Sequence, residues 1–276
     1  MNREDWQNLP LGRETTYEST YNPQLLHPIQ RCISRAQLGL SAGALPFFGE
    51  DEWWGFELSW LNSKGKPQVA VARFSFPAES PCMVESKSFK LYLNSFNQSK
   101  FESWRLVQDT LARDLGAAVG TAVEVNLLDV EDAALAVGRP QGYCLDDLDI
   151  MVEQYQPDPA LLALDESEED ISETLYSHLL RSNCPVTGQP DWATVMVEYK
   201  GPALKREALL AYIISFREHQ DFHEHCVERI FCDLQQLAEF SELTVCARYT
   251  RRGGLDINPL RSTRIEKPLP PRFARQ

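Results

Sequence analysis

The sequence predicts an α+β fold built from two similar units, on three observations. Apolar residues alternate over 52–60 and 68–76; they recur at three- and four-residue spacings within 88–115 and 204–237; and strands precede helices on both sides of an acidic, proline-containing stretch at 151–172.

In chain order, EWWGFELSW (52–60) places Trp54, Phe56, Leu58 and Trp60 on one side. With the turn-rich LNSKGKP and QVAVARFSF (68–76) it reads as a β-hairpin. SFKLYLNSF (88–96) and FESWRLVQDTLARDL (101–115) are helical in pattern, and TAVEVNLLD (121–129) is strand-like. The run QPDPALLALDESEEDIS suits a solvated linker, which divides the chain into 1–150, a linker at 151–172, and 173–276. Beyond it PDWATVMVEY (190–199) is a strand and LKREALLAYIISF (204–216) a helix. FHEHCVERIFCDLQQL (222–237) carries Phe222, Cys226, Ile230, Leu234 and Leu237 on one helical stripe, and LTVCARY (243–249) is a strand before the turn RRGG (251–254). The halves align through Tyr92 with Tyr212, Ser95-Phe96 with Ser215-Phe216, and Phe101 with Phe222. Two copies of one strand-strand-helix-helix-strand unit are therefore expected, with a composite site at their junction.

Composition narrows the function. With 276 residues, 43% of them hydrophobic, the chain can bury one large core or two ordinary ones. A net charge of −13 argues against nucleic-acid backbone binding, which needs clustered cations. The N-terminal stretch lacks the apolar segment of a signal peptide and no run of about 18 apolar residues occurs, so the expected location is the cytoplasm. Seven cysteines, odd in number and with no CxxC pair, signal neither a disulfide framework nor a zinc ribbon. No dinucleotide-binding GxGxxG or P-loop pattern follows a predicted strand.

Three constellations could carry chemistry, each beside a plainer reading. Cys184 lies in SNCPVTGQPDW, where Pro185, Gly188 and Pro190 make a rigid loop. It is either core packing or a nucleophile, with Asp191 either a strand-edge acid or a proton donor. HQDFHEHC (219–226) offers His219 and His223 at a metal-gripping spacing, or a helix start in which Asp221 and Glu224 make an acidic capping box and His219 and His225 face solvent. VESKSFKLY (84–92) is either a charged helix face or a binding element, in which Glu85 accepts from a heterocycle and Lys87 pairs with a phosphate. RRGG is either a surface turn or a guanidinium with close backbone approach to a phosphate.

ESKSFKLYLNSFNQ, SNCPVTGQPDWAT, DFHEHC and the late RRGG together resemble the NADPH-dependent 7-cyano-7-deazaguanine reductases in their long, two-module form, over residues 20–262. The resemblance implies the tunnelling fold (T-fold), two tandem ββααββ units with ligand sites at unit junctions. The implied reaction reduces a nitrile to a primary amine with two NADPH, on the route to the queuosine base of transfer RNA. It makes Cys184 the nucleophile that forms a thioimide and Asp191 the acid that protonates the nitrile nitrogen. Val84, Glu85, Ser86, His223 and Glu224 are implied in holding the base, and Ser86, Lys87, Arg252 and Gly253 in holding NADPH. A homodimer is implied, with no metal, no membrane and no directly bound nucleic acid. The rivals are a zinc-dependent cyclohydrolase-like enzyme of the same fold, and a purine- or pterin-binding module without catalysis.

Overall fold

The computed structural model describes residues 17–41, 43–265 and 267–276, so most of the stretch read for a leader lies outside the described residues. The elements are β1 (Pro28–Gln30), α1 (Arg31–Arg35), β2 (Phe48–Leu61), β3 (Pro67–Pro77), β4 (Cys82–Val84), α2 (Ser86–Ser95), α3 (Trp104–Val119), β5 (Glu124–Leu128), β6 (Tyr143–Cys144), β7 (Ile171–Asn183), β8 (Pro190–Gly201), α4 (Arg206–Ser215), α5 (His223–Leu237), β9 (Glu242–Tyr249) and β10 (Leu255–Ser262). The α+β class expected from the sequence is observed. No described helix is long and apolar enough to cross a membrane.

Two compact units divide the chain discontinuously: unit 1 is Met1–Ile33, Glu52–Leu135 and Arg251–Asp256, and unit 2 is Ser34–Asp51, Ala136–Thr250 and Ile257–Gln276. In unit 1 the strands run β5-β3-β2, and the hairpin turn closes where the amide of Asn62 donates to the carbonyl of Lys66. Trp54, Leu58 and Trp60 are buried as the alternation requires, but so is Trp53, which packs on Phe76 and Phe89. The hairpin is thus covered on both faces at this point. In α2, Tyr92 is fully buried and donates to Asp114 of α3 at 2.7 Å. Burial, then Asp114, push the Tyr92 phenol well above its usual range, so it stays a donor.

Unit 2 orders its strands β10-β9-β8-β7-β6. Along β8 the residues Ala193, Val195, Val197 and Tyr199 are buried, the period of two expected when one face meets a core. Helix α5 packs against β9 and α4 against β7. Tyr212 of α4 donates to Asp233 of α5 at 2.6 Å, and Ser215 Oγ donates to the Tyr212 carbonyl at 2.6 Å. Unit 1 contains contacts of the same kinds, Tyr92 with Asp114 and Ser95 Oγ with the Tyr92 carbonyl, at 2.7 and 2.6 Å.

The stretch 151–172, expected as a solvated linker, is tied into unit 2. Leu162 is buried, the Lys205 amide donates to the Ala163 carbonyl at 2.9 Å, and the Asp165 amide to that of Ala203 at 2.8 Å. Acidic side chains point outward while the backbone bonds inward, a separation that composition alone does not reveal.

Candidate active site

The turn between β7 and β8 positions Cys184. Register pairs Asn183 with Pro190 and Ser182 with Asp191, so one hairpin carries both residues. The Cys184 amide donates to the Gln189 carbonyl at 2.8 Å, and the Gly188 amide returns to the Cys184 carbonyl at 2.9 Å. Gly188 has φ of +68°, a conformation that L side chains adopt at a cost of roughly 1–2 kcal/mol, so glycine sets this turn. Cys184 itself is buried, 3% exposed. The residue before it is held on a second side: the Asn183 amide donates to the His219 carbonyl at 2.7 Å, and the Asp221 amide to the Asn183 carbonyl at 3.1 Å.

Asp191 is buried and its Oδ2 lies 3.3 Å from His223 Nε2. His223 opens α5 and stacks flat on Tyr249 of β9, with ring centroids 3.8 Å apart and planes within 7°. That stack leaves the His223 ring little freedom to rotate. Its Nδ1 is buried and has no partner, which marks a position where a ligand group can bond. Glu224, in the first turn of α5, is also buried.

The histidine segment departs from the capping-box expectation. His225 is 2% exposed rather than solvent-facing, and its Nδ1 makes a short contact with Asp221 Oδ2; His219, also largely covered, has Nε2 at 3.5 Å from the same oxygen. Asp221 Oδ1 accepts from the Phe222 amide at 2.8 Å, and the α5 N-cap is Phe222, without a side-chain cap. Burial alone would raise the Asp221 carboxyl, but hydrogen bonds from His219 and His225 overcome it and hold the group well below the usual carboxylate range. His219 lies before α5, so it and His223 do not share a helical face as a metal pair would need.

Unit 1 gathers the other expected residues. Glu85 caps α2: Oε1 accepts from the Lys87 amide at 2.8 Å and Oε2 from the Ser88 amide at 2.7 Å. Each oxygen keeps a lone pair beyond the cap. Val84 is buried in β4, paired with Pro28, while Ser86 and Lys87 are half-buried in the first turn of α2. Arg252 and Leu255 close the RRGG turn by reciprocal backbone bonds of 2.8 and 3.2 Å. Gly253, with φ of +63°, lies against α2: a Cβ built there would meet Lys90 Cδ at 3.2 Å. Gly253 thus lies beside Lys90, whose Nζ is 3.7 Å from Glu57 Oε2, and Lys87 stands in the first turn of the same helix; cations beside a helix N-terminus fit the phosphates of a dinucleotide.

Comparison with known proteins assigns the family. The family described as "Nitrile reductase, 7-cyano-7-deazaguanine-reductase N-term" matches residues 17–127, and that described as "QueF-like protein" matches 190–268. Proteins named NADPH-dependent 7-cyano-7-deazaguanine reductase are similar over nearly the whole length. That of Chromohalobacter salexigens is 59% identical, covering 98% of this chain and 97% of its own. That of Dechloromonas aromatica is 57% identical over 92% and 90%, and that of Burkholderia ambifaria 56% over 97% and 98%. The chain belongs to the NADPH-dependent 7-cyano-7-deazaguanine reductase family.

Within this family member, the structure brings Cys184, Asp191, His223 and Glu224 into unit 2, and Val84, Glu85, Ser86, Lys87, Arg252 and Gly253 into unit 1. Sequence reasoning missed Tyr249, because an aromatic residue in an alternating strand reads as core and its stacking partner is 26 positions away. Also missed was Trp192, whose ring is approached by the guanidiniums of Arg181, Arg217 and Arg275 at 5.5–5.8 Å.

Proposed function

We infer that this chain is an NADPH-dependent nitrile oxidoreductase that converts 7-cyano-7-deazaguanine to 7-aminomethyl-7-deazaguanine, consuming two NADPH, through a covalent thioimide on Cys184. Its setting is queuosine modification of transfer RNA. The observation that carries the mechanism is the single hairpin holding the buried thiol and Asp191, with Asp191 touching His223 beside Glu224.

The Cys184 sulfur adds to the nitrile carbon, and the thiol proton passes by way of Asp191 to the nitrile nitrogen, so the adduct gains no net atoms. The carbon of that thioimide is a better hydride acceptor than the nitrile. NADPH, when bound, supplies the two hydrides. Each hydride requires one further proton at nitrogen, which Asp191 relays in this reading. Between them the thiolate leaves, which returns Cys184 and gives an imine; the covered setting of Cys184 keeps water from hydrolysing it. In this reading His223 Nδ1, buried and unpartnered, and Glu224 are assigned to the polar edges of the base. Val84, Glu85 and Ser86 are assigned to base recognition on the family resemblance alone. Ser86, Lys87, Arg252 and Gly253 hold the cofactor phosphates.

The finer architecture is the T-fold in two tandem ββααββ units, with the 1–150 half carrying ESKSFKLY and the 173–276 half carrying Cys184 and Asp191. Support comes from the matched Tyr-Asp and Ser-carbonyl bonds of the two helix pairs. The same reading gives a homodimer in the cytoplasm acting on the free base, without contact to nucleic acid, in keeping with the net charge of −13.

The test is the intact mass of the protein after addition of 7-cyano-7-deazaguanine without cofactor. An adduct of the nitrile's mass is expected on the wild type and not on Cys184→Ala. No adduct on folded wild type, or the same adduct on Cys184→Ala, overturns the mechanism.

A further inference from the structure

At the outer edge of the unit 2 sheet, Cys144, Asp146 and His178 converge: a sulfur, a carboxylate oxygen and a ring nitrogen all lie within 4.8 Å of one another. None of the three takes part in the chemistry above. Their convergence follows from the backbone. β6 is a two-residue edge strand running parallel to β7, with Tyr143 opposite Leu175 and Cys144 opposite Tyr176, and the Leu145 amide donates to the Tyr176 carbonyl at 2.9 Å. Leu145 is fully buried, so the residues on either side of it, Cys144 and Asp146, turn away from the core together.

The third group arrives through a break in the ladder. Register between β7 and β8 shifts between Ser177 and Leu180, which frees the His178 amide from strand pairing. That amide donates instead to Asp146, at 3.2 Å to Oδ1 and 3.1 Å to Oδ2, and Ser177 Oγ donates to Oδ1 at 2.6 Å. The carboxylate is thereby oriented before any ligand arrives. The His178 ring is fixed as well: Nδ1 lies 2.8 Å from Thr194 Oγ1, and Tyr176 meets the ring edge-on at 5.5 Å. Thr194 and Asp191 are three residues apart on β8, so their side chains leave opposite faces of the sheet.

We propose that Cys144, Asp146 and His178 form a zinc-binding site that staples β6 to β7, with a fourth position open to solvent. Thiolate, imidazole and carboxylate together are the donor set of a borderline-soft divalent ion. Ligand atoms around tetrahedral zinc stand about 3.4–3.7 Å apart, given bonds of about 2.0–2.3 Å. Side-chain rotation contracts the spacing, at most 4.8 Å, by up to about 1.4 Å to reach that geometry. Thr194 supplies the outer hydrogen bond that metal-bound histidines characteristically make. Arg275 donates to the His178 backbone carbonyl at 2.8 Å, a contact that does not use the imidazole.

The full chain, stripped of metal and titrated with Zn²⁺ against a chromophoric chelator, is expected to bind one ion per chain. Co²⁺ in its place is expected to give a thiolate-to-cobalt charge-transfer band. Cys144→Ser should abolish the band, and either it or His178→Gln should weaken zinc binding by about 100-fold or more; Thr194→Val should cost about 10-fold. Circular dichroism checks that each variant is folded, and Cys184→Ala should bind zinc as the wild type does. Absence of one-to-one binding overturns the proposal. So does a band lost in Cys184→Ala and kept in Cys144→Ser, which would place the ion at the other cysteine.

Discussion

Asp221→Asn tests whether the buried acid, rather than the loop sequence alone, holds Cys184 in place. Asp221 is 7% exposed; one oxygen serves His225 and His219 and the other accepts from the Phe222 amide, while its own amide clamps Asn183. The amide variant keeps volume but loses the charge in two histidine contacts. A charge-assisted bond contributes about 1.5–3 kcal/mol, and the His219 contact at 3.5 Å is the weaker of the two, so the expected loss is about 2–4 kcal/mol near neutral pH. The sign with pH follows from the depressed carboxyl. Its contribution is fully present above the unfolded value of about 3.9 and is lost as pH falls through the lower folded value, so wild type and variant converge in stability only in acid below about pH 4. Urea unfolding at about pH 7, 3 and 2 reads this directly, the difference holding at pH 7 and shrinking in the two acid sets. A loosened Asn183 also misplaces the thiol, and displacement of about 1 Å can cost on the order of 100-fold in rate. The rate of nitrile adduct formation, followed by intact mass, should fall accordingly. A variant within about 0.5 kcal/mol of wild type and equally fast in forming the adduct would refute the clamp.

Asp191→Asn should bind the nitrile within a few-fold of wild type yet lose about 100- to 10,000-fold in turnover, as removal of a proton carrier does; equal turnover would remove Asp191 from the mechanism. Gly253→Ala forces a side chain into a left-handed turn against Lys90, so KM for NADPH should rise several-fold while the adduct rate without cofactor stays unchanged. Arg261→Met strips a fully buried guanidinium from Asp51 and Glu228, at 2.8 Å each, and should cost about 3–5 kcal/mol in urea unfolding. A loss under about 1 kcal/mol would show that the carboxylates find other partners.

Legibility in the sequence followed the hydrophobic pattern and stopped where burial is polar. β2, β3 and β8 were readable because apolar residues alternate along them. β10 was not, since Pro259 interrupts a short alternation of Leu255 and Ile257, and Asp256, Asn258, Arg261 and Ser262 are buried there as well. β7 hides for another reason: its bulge at Ser177 to Leu180 breaks the alternation at the residues that orient Asp146. His225 was expected outside because the stripe of Phe222, Cys226, Ile230 and Leu234 defines only one face of α5. Its first turns are covered all round, with His223, Glu224, His225 and Glu228 each under 10% exposed. The fixed turn around Cys184 was legible because Pro185, Gly188 and Pro190 announce it, whereas roles for Cys184 and Asp191 came only with the family resemblance.

The polar burial that defeats pattern reading is also what fixes the candidate site. An apolar core tolerates small rotations of a helix, because dispersion contacts are non-directional. A buried charge does not, since any shift leaves it unpaired at a cost of several kcal/mol. Helix α5 is held by three such contacts along its length: Asp221 with His225 at its start, Glu228 with Arg35 and Arg261 in its middle, and Asp233 with Tyr212 towards its end. His223 and Glu224, the residues proposed to hold the base, lie within the span of the first, between Asp221 and His225, and one turn before Glu228. Their position along and about the helix axis is thus set by directional bonds on either side, and a substitution at Glu228 should alter base affinity without touching the ligand. Glu228→Gln, which keeps the shape and removes the charge between two guanidiniums, separates this positioning from packing. Weaker base binding, with adduct formation at saturating nitrile unchanged, is the outcome that the directional argument requires.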